Sequence, residues 1–337
     1  MTDVRLKQAT QWLHDVLDVR FDVRTLAGDA SFRRYFRVHA ENVTWVLMDA
    51  PPEKEDCSPF LRIRAWFQHA QLRVPNLIAE DQLRGFLLLE DFGDDTWAAY
   101  LQKGKQENVQ KGGDAKPLFQ DALRQLHILQ AAQPSFELPN FDVLRMQREC
   151  DLYLDWYLPK VVDYLPSKSE RRSFHAALLP YLQRLQALPK SAVHLDYHSR
   201  NLMLPKGGLP LGIIDFQDAV LGPITYDLAS LLYDCYQDYP ESLRREWSEY
   251  FFSALPTVSK AYFIDFNDWH ETLRLTAFQR HVKAIGIFSR LAYRDGKQNF
   301  LNEIPLTKKH LQDGMAILNL PDVVVQLLQK NLMHLSS

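Results

Sequence analysis

Leu6, Ala9, Leu13, Val16 and Leu17 recur at helical spacing behind Asp3, so the pattern predicts an amphipathic first helix that Asp3 can cap. Three short β-type runs follow at residues 21–26, 32–38 and 44–48, with Gly28-Asp29-Ala30-Ser31 as a turn signal between the first two. Ser58-Pro59 opens a helix to about Arg73, because serine caps well and proline suits the first helical position; Pro75 stops it. Residues 76–79 and 86–90 predict two more strands. The pattern changes after Gly93. Residues 102–116 are rich in Lys, Gln and Gly and predict a solvated loop. Beyond it helical periodicity dominates, at 117–131, 142–164, 169–187, 225–237, 240–254, 267–292, 307–317 and 321–333. One strand-turn-strand interrupts the helices, at 202–204 and 211–214 around Pro205-Lys206-Gly207-Gly208. The expectation is an α+β chain with a small sheet-containing lobe, residues 1–92, and a larger, mainly helical lobe, residues 93–337.

Composition narrows the class. At 337 residues the chain exceeds the usual single domain, and 46% apolar residues suffice for a packed core. A net charge of −3 gives no global attraction to nucleic acid or to acidic membranes. Cys57, Cys150 and Cys235 are widely spaced, odd in number and in no metal pattern, which fits reduced thiols of a cytoplasmic protein. The amino terminus carries no signal-like pattern, and no stretch approaches the roughly 18–20 apolar residues that a membrane span needs.

The stretch with chemistry is His194-Leu195-Asp196-Tyr197-His198-Ser199-Arg200-Asn201, followed by Ile213-Ile214-Asp215-Phe216. Phosphoryl transfer to a hydroxyl needs a carboxylate to orient the nucleophile, oxygen ligands for magnesium and positive charge against the transferring group. Asp196 is placed as the base, Asn201 and Asp215 offer metal-binding oxygens, and His198 and Arg200 can donate to phosphate.

The string His-x-Asp-x-His-x-x-Asn, with Ile-Asp-Phe-Gln-Asp and Tyr226-Asp227-Leu228-Ala229 after it, resembles the aminoglycoside-phosphotransferase and choline-kinase branch of the protein-kinase-like fold. Three further segments look like the bacterial N-acetylmuramate/N-acetylglucosamine anomeric kinases of cell-wall recycling. They are Val46-Leu47-Met48-Asp49-Ala50-Pro51-Pro52-Glu53, Leu88-Leu89-Glu90-Asp91-Phe92-Gly93, and Gln279-Arg280-His281-Val282-Lys283 with Gly286-Ile287-Phe288. The resemblance implies an ATP- and magnesium-dependent enzyme phosphorylating the anomeric hydroxyl of a small amino sugar. It places adenine against backbone groups near Glu90 and Phe92, makes His194 and Asp227 braces of the catalytic loop, and puts Asp218 on the substrate side.

The chain also departs from that pattern. Met48 stands where the family often carries a third-strand cation, and the helix after it holds no acidic residue to pair with one. Both partners are missing together, so no lone buried charge results. Arg33 or Arg34, on the preceding strand, is the expected replacement. Arg274, Arg280, His281, Lys283, Arg290 and Arg294 decorate residues 271–294, for the most part as a solvated helix face. Arg280 and Lys283 are the exceptions: facing a cleft, they would suit a substrate carboxylate better than a polycationic aminoglycoside. Alternatives are an aminoglycoside kinase, a choline or ethanolamine kinase with an aromatic cage drawn from Trp247, Tyr250 and Trp269, and a nucleotide-binding pseudokinase.

Overall fold

The computed structural model describes residues 3–26, 32–106, 115–204 and 210–330. The turns expected at 28–31 and 205–208 lie outside these residues. The chain forms two compact units. One holds residues up to Thr96 together with Leu202–Asp218, and the other holds Trp97–Asn201 and the chain from Ala219 on. The division therefore falls at Thr96 rather than at 92, and the first unit reclaims a segment from far along the chain.

In the first unit, β1 (Asp22–Thr25), β2 (Arg34–His39), β3 (Thr44–Asp49), β4 (Leu77–Asp81) and β5 (Phe86–Glu90) form one antiparallel sheet. Its strand order is β1-β2-β3-β5-β4. Alternation along the strands puts Phe36, Val38, Leu47, Phe86 and Leu88 on one face. There they bury Ala9, Trp12 and Leu13 of the helix Val4–Val16, whose start Asp3 caps by accepting the Leu6 N–H at 3.0 Å. Met48 is fully buried in β3, opposite Leu87. The helix Ser58–His69 ends sooner than its pattern predicts, because Gln71 turns to φ 65°. The hairpin Leu202–Met203 with Gly212–Ile213 joins this unit through Ile213 N–H to Arg73 O, at 2.7 Å, and Leu204 N–H to Asp95 O, at 2.8 Å.

The second unit is mainly helical. Residues expected to lie in a solvated loop contribute to the helices Trp97–Gln106 and Ala115–Ala131, with Trp97 fully buried. The pattern at 142–164 resolves into Val143–Leu152, a π-helical turn Tyr153–Tyr157 and the short piece Leu158–Lys160. The helix Phe266–Tyr293 is buried almost all round, as expected of a helix at the centre of a domain. Its cationic residues are therefore no solvated face: Arg274, Arg280 and His281 are buried, and Arg294 is exposed. Gly286 lets this helix meet the π turn, since a Cβ there would lie 2.4 Å from the Leu152 carbonyl carbon and 2.5 Å from Tyr153 N. A two-stranded ladder, Lys190–Val193 with Val220–Pro223, was not evident in the hydrophobic pattern; it delivers the chain to His194. Among the described residues no helix is long and apolar enough to cross a membrane.

Candidate active site

The loop His194–Asn201 follows that ladder in the second unit and is fixed by buried carboxylates. Asp227, near the start of the helix Tyr226–Leu232, accepts the backbone N–H groups of His194 at 2.7 Å and Leu195 at 3.1 Å. Leu195 sits at φ 79°, a conformation a leucine avoids unless its neighbours hold it there. Burial pushes the Asp227 carboxyl up to about 6, against the opposing pull of His194 and the two N–H donors. Asp234, fully buried, accepts the N–H of Ser199 at 2.9 Å and that of Tyr236 at 2.9 Å. Arg200 stacks on the Tyr236 ring, 3.7 Å from its centroid, and is ion-paired with Glu303. Its charge is thus already matched within this unit.

Inside the loop, His194 Nδ1 accepts the Asp196 N–H at 3.3 Å. Asp196 O accepts both the His198 N–H at 3.0 Å and Asn201 Nδ2 at 3.0 Å. Donation through Nδ2 leaves the Asn201 side-chain oxygen as the amide's acceptor, a hard donor that suits magnesium. Burial alone would raise the Asp196 carboxyl, but Lys283 foremost, with Arg280, outweighs it and holds it below the usual carboxylate range. An ionised, half-buried carboxylate so placed can accept a hydroxyl proton. Burial lowers His198, so its imidazole is neutral; Nδ1 is buried without a hydrogen-bond partner, and the ring meets Tyr236 edge-on at 5.1 Å.

Lys283 and Arg280 reach this loop from the helix Phe266–Tyr293. Lys283 Nζ lies 3.6 Å from Glu149 and donates to the Tyr226 hydroxyl at 3.4 Å. Arg280, 6% exposed, lies over the Tyr226 ring, 5.4 Å from its centroid. Asp234, Glu149 and Glu303 escaped the sequence reading. Their signal was a lone acidic residue within a helix or loop, which reads no differently from a solvent-exposed one.

In the first unit, Asp215 adopts φ 62°, which aspartate tolerates better than most residues, and its carboxylate accepts Gln217 Nε2 at 2.8 Å. The next residue, Phe216, is fully buried and packs on Phe60 and Phe67 of the helix Ser58–His69, with ring centroids 5.0 and 5.6 Å away. That anchor sets the direction of Asp215. Asp218 is exposed and, among the described residues, receives only a 3.4 Å contact from Gln217.

Glu90 is held by Arg73 and Asn76, and its own N–H donates to Asn76 O at 2.9 Å. The Glu90 N–H is therefore already used. Phe92 lies 4.5 Å beneath the Arg73 guanidinium and fills the space a Cβ at Gly212 would need. Arg34 is ion-paired with Asp3 and with the fully buried Asp49, which Arg5 also holds at 2.9 Å. It serves to tie the first helix to β3. Arg33 is half-buried just ahead of β2. Among the described residues no group of three or more His, Cys, Asp or Glu could hold a metal on its own.

The family model for the phosphotransferase enzyme family, APH, matches residues 22–262. The N-acetylmuramate/N-acetylglucosamine kinase of Pseudomonas putida is 34% identical over 314 residues, covering 90% of this chain and 89% of the relative. The enzyme of the same name from Neisseria meningitidis serogroup B is 36% identical over 308 residues, covering 89% and 88%. Among solved structures, a choline kinase from Streptococcus pneumoniae superposes with a TM-score of 0.61 at 13% identity, covering 92% of this chain and 100% of that one. The aminoglycoside phosphotransferase APH(2'')-Ib gives a TM-score of 0.59 at 15% identity, covering 96% and 97%. These two likenesses bear on the fold, which is protein-kinase-like. The match over most of the chain, with relatives above 30% identity, makes this protein a member of the APH family of phosphotransferases.

Proposed function

We propose that the protein is an ATP- and magnesium-dependent kinase that phosphorylates the anomeric hydroxyl of N-acetylmuramate, N-acetylglucosamine or both. The observation that carries this reading is the half-buried Asp196, in a loop that Asp227 fixes, with its carboxyl held below the usual range by Lys283 and Arg280. The printed names of the relatives supply the sugars.

In this account Asp196 accepts the hydroxyl proton as the sugar oxygen attacks the terminal phosphorus of ATP, and ADP leaves with the electron pair of the broken bond. Asn201 and Asp215 would hold magnesium, which neutralises phosphate charge. Neutral His198 helps to orient the acceptor hydroxyl or a phosphate oxygen. His194 and Asp227 keep Asp196 in register. The phosphate-facing cation of the first unit is Arg33 or Arg34, of which Arg34 also pairs with Asp49 and Asp3.

An aminoglycoside would call for an acidic lining, and Arg280 and Lys283 disfavour it. A choline cage from Trp247 and Trp269 fails on packing. Trp247 is 3% exposed and stacks on Phe119; Trp269 is fully buried against Phe251 and Phe263. The pseudokinase reading rests on the absent β3 cation, but Asp196, Asn201 and Asp215 all remain. The test is ATP consumption with amino sugars, aminoglycosides, choline and homoserine, by wild type and by Asp196→Asn. Amino-sugar-dependent turnover that Asp196→Asn loses, with nucleotide binding retained, is the expected result. Turnover of the variant within about tenfold of wild type would remove Asp196 as the base.

A further inference from the structure

A site that takes both a neutral amino sugar and its lactyl ether must receive a carboxylate in one case and leave that place to water in the other. Two cations near Asp196 could receive it, and their surroundings differ.

Lys283 is already matched. Its ammonium lies 3.6 Å from Glu149 and 3.4 Å from the Tyr226 hydroxyl. Glu149 is itself fixed, accepting Gln279 Nε2 at 3.1 Å and facing Arg145 Nε at 3.5 Å. The close approach at Gly286, one turn beyond Lys283, holds the two helices at the spacing this pair needs.

Arg280, one turn before Lys283, is not matched. Among the described residues its guanidinium makes no hydrogen bond and no ion pair, and Nε and Nη1 are buried without a partner. Asp196 and Asp234 attract it from beyond ion-pairing distance. Two other arginines of this unit are equally buried, Arg244 at 4% exposure and Arg274 at 6%. Both line a cavity of about 490 Å³ and both are ion-paired to Glu241, so burial in this unit does not by itself leave an arginine without a carboxylate. A buried guanidinium lacking an anion is uncommon, and its planar donors match the two oxygens of a carboxylate.

Resting on the assignment of amino sugars as acceptors, we propose that Arg280, and not Lys283, receives the lactyl carboxylate and so sets the preference between the acidic and the neutral sugar.

The experiment measures kcat/KM of wild type, Arg280→Gln and Lys283→Gln for N-acetylmuramate, its neutral carboxamide and N-acetylglucosamine. Arg280→Gln should lower the ratio of N-acetylmuramate to N-acetylglucosamine by about tenfold to a hundredfold through KM, as loss of a charge-assisted contact would. Lys283→Gln should reduce both sugars together and leave the ratio within about threefold of wild type. Wild type should favour the acid over its carboxamide, a comparison that needs no variant to fold, and Arg280→Gln should erase that preference. The assignment is overturned if wild type treats acid and carboxamide alike, if Lys283→Gln is the ratio-changing variant, or if Arg280→Gln lowers kcat equally on both sugars and leaves the ratio of their kcat/KM unchanged. The last outcome would place the guanidinium against the transferring phosphate. If wild type phosphorylates neither sugar, the amino-sugar reading falls and this assignment falls with it.

Discussion

Replacing Asp227 with alanine tests how the catalytic loop is held. The carboxylate accepts two backbone N–H groups, of His194 and Leu195, in a buried setting. Leaving both unsatisfied costs about 1–3 kcal/mol each, so roughly 4 kcal/mol in all. Against that stands the burial that pushes this carboxyl from 3.8 to about 6. A folded pKa raised above the unfolded one means that the native state binds the proton more tightly. Wild type therefore gains stability below the unfolded value and loses it as pH rises through about 6. At about 1.4 kcal/mol per unit the change is roughly 3 kcal/mol. The variant lacks this titration. Its deficit should be near 4 kcal/mol at about pH 4 and shrink towards 1 kcal/mol at about pH 8. Urea unfolding followed by tryptophan fluorescence at both pH values measures it, with Asp227→Asn as the control that keeps an acceptor and cannot titrate. Activity should fall as well. Leu195 would relax from φ 79°, and a displacement of about 1 Å in Asp196 costs on the order of a hundredfold in rate. An equal deficit at both pH values would refute the burial argument. Full activity with no loss of stability would refute the brace altogether.

Gly286→Ala should destabilise by about 1–3 kcal/mol, seen as a lower thermal midpoint, because the new methyl would meet the Leu152–Tyr153 backbone rather than a movable side chain. Asp215→Ala should abolish magnesium-dependent ATP binding in calorimetry, and an unchanged Mg-ATP affinity would contradict the metal assignment. One of Arg33→Ala and Arg34→Ala should cost more than about tenfold in kcat/KM. Arg34→Ala should also lower stability, because it takes one of the two arginines from the buried Asp49; both variants fully active would send the phosphate charge elsewhere.

The fold was legible because its punctuation is local: Asp3, Ser58-Pro59 and Pro75 bound elements, and alternation marks β2, β3 and β5. The candidate loop His194–Asn201 stood out in the sequence because its residues lie within eight positions. What stayed hidden depends on contacts between distant segments. Nothing local says that residues 202–218 return to the first unit, or that Phe216 seats on Phe60 and Phe67. The charged residues around Arg280 looked like a surface because charge usually marks one. Only the packing of Tyr226 and the helix carrying Glu149 shows that this helix is enclosed. Arg34 looked available for phosphate because Asp49, its partner across the ladder, is fifteen residues away. The positive φ at Leu195 and Asp215 has no signature in residue types that ordinarily avoid it or merely tolerate it.

The most direct test of the central claim compares N-acetylmuramate and N-acetylglucosamine with their 1-O-methyl glycosides as acceptors, with ADP release as the readout. The free sugars should support turnover and the methyl glycosides should not, since they lack the hydroxyl whose proton Asp196 is to accept. Methyl glycosides phosphorylated as well as the free sugars would contradict the anomeric assignment, and kanamycin or choline outcompeting both sugars would contradict the substrate class.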